Sequence, residues 1–270
     1  SFSSDSNHDL SKYDLVHIFN SPRFEETKQF FESAKKQHKP IAFSTIYWSK
    51  DELAVGVAKN KSVDFVYSNF GVAAAIRYRK IAKSMQNIGK KDNSVSIEKW
   101  LFKNADILLP NSKGEMVEIE KSYKIKNKFE VVRNAVDMEL FERKPSLKRE
   151  NYVLSVGRIE RRKNTLKLIE ACNKLSYKLV LIGGYDLKDD YAIDCLERIK
   201  KYNQVYIHNI DQKELLKYYY NAKVHAIVSW YETPGLSSLE AACGGCNIVS
   251  TDRGSTMEYF GKYATYCNPF

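Results

Sequence analysis

The stretch Val156–Asn164 reads VGRIERRKN: a glycine closes an apolar run, Arg158 follows, and Lys163 comes five residues later where a helical pattern begins. Two cations at a strand-to-helix turn, with the free amides of a helix N-terminus, make a receptor for a diphosphate. Each charge-assisted hydrogen bond of that kind contributes about 1.5–3 kcal/mol. Arg161 and Arg162, lying between them, leave a plain surface cluster of cations open as the alternative. Further on, ETPGLSSLE places Glu232 and Glu240 with seven residues between them, directly after the apolar run VHAIVS. Pro234 suits the first turn of a helix, and Gly235 lets a ligand approach the backbone. Glu232 is then expected in a loop facing a crevice, and Glu240 about a turn and a half into the helix. Carboxylates so placed accept hydrogen bonds from sugar and ribose hydroxyls. The amides of Gly235, Leu236 and Ser237 would face a phosphate or sugar oxygen. A capped surface helix with two ordinary glutamates is the plainer reading of the same residues.

The elements that must position these groups are regular from about residue 151 onward. Tyr152–Val156, Lys178–Ile182, Val205–His208, Val224–Val228 and Asn247–Ser250 read as buried parallel strands. Leu166–Leu175, Tyr191–Tyr202, Gln212–Tyr220 and Leu236–Cys243 have helical spacing between them. Such alternation predicts βαβ units, and ligands of open parallel sheets sit at the carboxyl ends of the strands. Gly157, Gly183 and Gly184 fall at those ends. In the first half, Leu15–Phe19, Ile41–Thr45, Phe65–Tyr67, Ile107–Leu109 and Phe129–Val132 read as strands, with helices Phe24–Lys36 and Val72–Met85. The charged, proline-containing segment Arg143–Glu150 is expected to be a linker, dividing a domain at 1–147 from one at 148–270.

The chain has 270 residues, 43% hydrophobic and 13% aromatic, with a net charge of +10. That composition supports a sizeable core and excludes a disordered chain or coiled coil. No apolar run approaches the ~20 residues of a membrane helix, and Ser1–Leu10 lacks the pattern of a signal peptide. The irregularly spaced cysteines at 172, 195, 243, 246 and 267 do not form a disulfide framework, so a cytoplasmic location is expected. Cys243 and Cys246 have redox spacing but follow a helix rather than opening one, which favours small buried residues at a helix-to-strand turn. The densest positive stretch runs from Arg77 to Lys103 through Arg79, Lys80, Lys83, Lys90, Lys91 and Lys99. It is either a solvated face or a patch for a phosphorylated acceptor or an anionic membrane surface, the last of which would make the protein peripheral at the inner face. No base-reading motif accompanies it, so nucleic acid is not expected as a partner. Asp186, Asp189 and Asp190 suit a solvated loop and helix start better than a metal cage. A dinucleotide dehydrogenase would need a G-x-G-x-x-G turn that the chain lacks.

The motifs VGRIERRKN and ETPGLSSLEAACGG, in that order, resemble those of the retaining glycosyltransferases of family four. KLVLIGGYD, STDRGSTMEYF, NADILLPNSKGEM and VVRNAVDMELF fall where that family has further motifs, with Ala135 replacing a usual glycine. The resemblance spans Asp14–Phe270 and is strongest over 151–260. It implies an α/β chain of two Rossmann-like domains facing a cleft, the GT-B fold. The acceptor-side domain would be incomplete at its start, and the donor-binding domain would lack its final helices. A nucleotide-diphosphate sugar, UDP- or GDP-linked, would be the substrate, with no cofactor and no metal. A hexose would pass with retention to a hydroxyl of a glycan or lipid-linked saccharide. Arg158 and Lys163 would neutralise the diphosphate, Glu240 would hold the ribose, and Glu232 would contact the donor sugar. Gly184, Gly235, Leu236 and Ser237 would line the nucleotide site. The family often has a histidine at the end of the strand matching PIAFSTIYW. Here Tyr47 either supplies a hydroxyl or is structural, and His17, at another strand end, is open to either a core or a catalytic role. A non-catalytic member of the same fold, binding a nucleotide or glycan in support of a partner, is the competing expectation.

Overall fold

The computed structural model describes residues 3–19, 23–58, 60–86, 93–141 and 149–270. The chain divides into two compact units, Ser1–Arg133 and Asn134–Phe270. The packing boundary therefore falls earlier than the expected 147/148. The reason is α6 (Met138–Phe141), whose Phe141 ring packs edge-on to Tyr219 and whose Leu140 carbonyl accepts from Tyr220 Oη at 2.9 Å. Most of the expected linker, 142–148, lies outside the described residues, as do Lys90 and Lys91.

The first unit carries a parallel three-stranded sheet, β1 (Val16–Phe19), β2 (Ile41–Ser44) and β3 (Ile107–Leu108), in that order. Helices α1 (Phe24–Lys36), α2 (Asp51–Gly56), α3 (Lys61–Gln86), α4 (Asn93–Asn104) and α5 (Lys113–Tyr123) complete it. Its core gathers Phe31, Ile41, Phe43, Leu101, Phe102, Leu108 and Ile119. Two expected strands differ. Phe65–Tyr67 lies within α3, whose start is capped by Asn60 Oδ1 accepting from Ser62 N at 2.9 Å. The cap and the helical run from Lys61 to the kink at Gly71 (φ 81) outweigh the strand preference of three aromatic and branched residues. Phe129–Val132 is reduced to one bridge between Phe129 and Leu108.

The second unit is a six-stranded, wholly parallel sheet. Its strands are β4 (Glu150–Val156), β5 (Leu179–Ile182), β6 (Val205–Ile207), β7 (Ala222–Ile227), β8 (Asn247–Thr251) and β9 (Ala264–Cys267). Their spatial order is β6-β5-β4-β7-β8-β9. The order starts at β4, grows outward to β6, then jumps back to the other side of β4, the doubly wound Rossmann arrangement. Burial alternates along the strands as a two-sided sheet requires. Val180 and Ile182 enter one core with Leu154 and Tyr219, whereas Leu179 and Leu181 enter the other with Ile169 and Ala226. Helices α7 (Thr165–Lys174), α8 (Asp190–Lys201), α9 (Gln212–Asn221), α10 (Leu236–Cys243) and α11 (Thr256–Phe260) connect the strands. Asp189 and Asp211 cap α8 and α9 by accepting from Tyr191 N and Glu214 N at 3.0 and 2.8 Å. Cys246 is buried, its Sγ donating to Tyr219 O at 3.1 Å, and Cys243 is half-buried at the end of α10. Both are thiols outside any disulfide, at a helix-to-strand turn. Among the described residues no helix is long and apolar enough to cross a membrane.

Candidate functional site

In a doubly wound sheet the crevice opens where the strand order reverses, here between β4 and β7. The loops that leave these two strands carry the residues singled out from the sequence. After β4 the chain passes Gly157 and Arg158 and makes a 3-10 turn over Arg161–Lys163. After β7 it runs through Ser229–Thr233 to Gly235, the N-cap of α10. Trp230 N donates to Arg162 O at 2.8 Å, so the loops are joined through backbone.

That junction pairs Lys163 with Glu232. Lys163 Nζ lies 2.7 Å from Glu232 Oε1, and Arg162 Nη1 lies 3.5 Å from the same oxygen. Ser229 Oγ donates to it at 2.5 Å. The Glu232 side chain is only 5% exposed and that of Lys163 16%. Glu232, expected in a loop facing a crevice, lies in the loop after β7 with its carboxylate buried against two cations, since a charge so enclosed persists only when paired and hydrogen-bonded. Arg162 is also oriented by Glu160 at 2.8 Å and by the Tyr231 carbonyl at 3.2 Å. Arg158, by contrast, is exposed and makes no ion pair among the described residues.

The remaining predicted residues fall around this pair. Gly235 has φ 87, and Pro234 lies before the cap rather than in the first helical turn. Leu236 is exposed, and Ser237 Oγ donates to Val156 O at 2.9 Å, tying α10 to the end of β4. Glu240 is half-buried and its Oε2 accepts from Tyr219 Oη at 2.7 Å. Burial pushes its carboxyl above the ordinary range, and the Tyr219 bond offsets part of that. Gly184 lies at the end of β5 under the Asn209 side chain. Asp186 Oδ1 accepts from Lys188 N at 2.9 Å, so Asp186 and Asp189 serve the local turn and the α8 cap.

In the first unit, the partly buried Tyr47 packs against the core, its ring 5.3 Å from Tyr123 and 5.7 Å from Phe102. His17 is the second residue of β1, not a strand end, and its Nε2 lies 2.9 Å from Ser44 Oγ. Sequence reasoning passed over Glu115, which is fully buried. Its carboxylate accepts from Thr45 Oγ1, from Tyr47 N at 2.7 Å and from Asn111 N at 2.8 Å, fixing the turn after β2. Desolvation raises its carboxyl pKa. Ser229 was passed over too, and Arg162 was read only as part of a surface cluster of cations. The signal for Ser229 was its position at the end of an apolar strand, three residues before Glu232.

Residues 137–267, nearly all of the second unit, match the family described as glycosyl transferases group 1. A Campylobacter jejuni protein is 31% identical over 169 residues, covering 60% of this chain and 46% of its own length. It is named N-acetylgalactosamine-N,N'-diacetylbacillosaminyl-diphospho-undecaprenol 4-alpha-N-acetylgalactosaminyltransferase. The chain spans about half the length of the curated relatives it matches. Among solved structures, sucrose-phosphate synthase from Thermosynechococcus elongatus shares the fold with a TM-score of 0.69 at 17% identity, over 96% of this chain and 61% of that one. An α,α-trehalose-phosphate synthase from Burkholderia xenovorans does so with a TM-score of 0.64 at 11% identity, over 94% and 62%. Two units with parallel sheets, the reversal-point site of the second and the match across residues 137–267 make that unit similar to the glycosyl transferases group 1 family, and the chain shares the GT-B fold of its structural neighbours.

Proposed function

We propose that the protein is a retaining glycosyltransferase that moves a hexose from a UDP- or GDP-linked sugar to a hydroxyl of a glycan or lipid-linked saccharide, without a metal. The observation that carries this reading is the Lys163–Glu232 pair at the strand-order reversal, flanked by exposed Arg158 and the N-terminus of α10. A diphosphate arriving there meets two cations and the amides of Leu236 and Ser237. As the glycosidic bond breaks, negative charge grows on the departing phosphate and positive charge on the sugar. Lys163 and Arg158 stabilise the first, and the Glu232 carboxylate stabilises the second. Glu240, with one oxygen held by Tyr219, offers the other to the ribose hydroxyls. The polyprenol-linked substrate in the relative's name supports a lipid-linked acceptor. Calorimetric titration without metal is expected to show micromolar binding of UDP or GDP, lost in Lys163→Ala. Binding of none of UDP, GDP and dTDP by the folded protein would overturn the reading.

Association with an anionic membrane surface belongs to the same proposal. On α3, Tyr78, Ile81 and Met85 share a face by helical spacing and are 39%, 53% and 68% exposed, with the cations Arg77, Arg79 and Lys83 on the same helix. Partly inserted apolar side chains plus cations are what an interfacial helix needs. Vesicles with anionic lipid are expected to retain the protein at low salt, and Ile81→Ser with Met85→Ser to release most of it. Equal retention by neutral vesicles, or by the double variant, would remove this part.

A further inference from the structure

Beyond the phosphate-facing turn, the carboxyl edge of the second sheet ends in a group of rings. Tyr185 follows β5, Tyr206 lies in β6, and His208 and Asn209 follow it. The Ile159–Tyr185 bridge and the bond from Ile159 N to Gly184 O at 2.9 Å place this group beside the turn that carries Arg158. The ends of β4 and β6 are two strand spacings apart, roughly 10 Å, the scale of a ribose and its base.

The hydrogen bonds of the group settle which nitrogen of His208 carries hydrogen. Tyr206 Oη lies 2.8 Å from Gly183 O and 2.8 Å from His208 Nδ1. A phenol has one proton, and the carbonyl can only accept, so that proton goes to Gly183 O. The Tyr206 oxygen therefore accepts from Nδ1–H of His208. Uncharged His208 is thus the Nδ1–H tautomer, and its Nε2 presents a bare lone pair. The ring is exposed, and Nε2 makes no hydrogen bond among the described residues. The edge of Tyr185, with ring centroids 5.8 Å apart and planes at 88°, holds the imidazole plane. Beside it, the Asn209 amide lies close over Gly184, where a Cβ would come within 3.0 Å of Oδ1.

We propose that His208 Nε2 reads the base of the donor nucleotide, accepting from a ring N–H and so selecting uracil, thymine or guanine over cytosine and adenine. This rests on the nucleotide-sugar reading above. In cytosine and adenine the matching ring nitrogen is itself an acceptor, which would set two lone pairs against each other and leave both without a proton. A site built around one hydrogen bond rejects the analogue lacking its partner by leaving polar groups unpaired.

The test is calorimetric titration of wild type, His208→Phe and Tyr206→Phe with the pairs UDP and CDP, and GDP and ADP. Wild type is expected to prefer UDP over CDP, or GDP over ADP, by about tenfold or more. His208→Phe should still bind but lose most of that preference. Tyr206→Phe, which keeps the ring but frees the imidazole tautomer, should narrow it mainly by admitting CDP or ADP. Equal binding within both pairs by wild type, or an unchanged ratio in folded His208→Phe, would overturn the assignment while leaving nucleotide binding intact. Absence of binding by all four would overturn the donor-site reading itself, and this inference with it.

Discussion

Lys163→Ala is expected to slow sugar transfer by on the order of 10²–10³, the usual cost of removing one well-placed stabiliser of developing charge. Its second effect separates it from other cation deletions. Glu232 would keep only Arg162 at 3.5 Å and would lose the cation at 2.7 Å while remaining buried. Leaving such a charge short of its partner costs roughly 3–5 kcal/mol at full burial, and less here because Arg162 remains. Arg158→Ala should slow transfer to a similar degree with no measurable loss of stability, since Arg158 is exposed. Initial rates and denaturation midpoints of the two variants decide the matter. Near-normal rates in both would sink the assigned roles. Equal stability loss in both would show that the pair is not what holds the junction.

The second large effect is expected at Gly254. This residue bridges Glu232 in parallel fashion and has φ +93. A Cβ there would lie 2.0 Å from Glu232 O and 2.7 Å from Glu232 N, both backbone atoms with no rotamer to escape into. Ser255 N donates to that same carbonyl at 2.8 Å, so the loop cannot shift without breaking a further bond. Gly254→Ala should cost about 2–4 kcal/mol, combining backbone strain with steric displacement. It should also lower transfer, because the displaced backbone carries the Glu232 carboxylate. Chemical denaturation and initial rates measure the two parts. A stable and fully active Gly254→Ala protein would show that Gly254 does not hold the Glu232 loop.

The sheet of the second unit was legible because buried parallel strands announce themselves as short apolar runs. All five expected there exist within a residue or two at each end. The missed strand, β9 (ATYC), is short and edge-placed and shows no such run. The first unit was harder to read. Phe65–Tyr67 has strand-like residues, and only the Asn60 cap and the helical run up to the Gly71 kink make it helix, which local preference does not weigh. At the site, residue types and spacing found Lys163 and Glu232 but not their pairing, because the reversal of strand order that joins them is a property of the whole sheet. Glu115 escaped for a related reason. A glutamate early in a helix looks like a favourable first-turn charge, and only the packed turn after β2 makes it a buried acceptor.

The strand order also governs when the site comes into being. β4, β5 and β6 pair as neighbours in sequence, whereas β7 must return across them to lie on the free side of β4. Long-range parallel pairing of this kind is slow, because loop closure precedes any reward. Lys163 and Glu232, 69 residues apart, can therefore meet only once β7 has docked beside β4. On a chain growing from the ribosome, the three-stranded half would form first, with its lysine still waiting for its acid. Trp230, buried edge-on against Phe270 beside that junction, would register the moment the halves close as a change in its fluorescence.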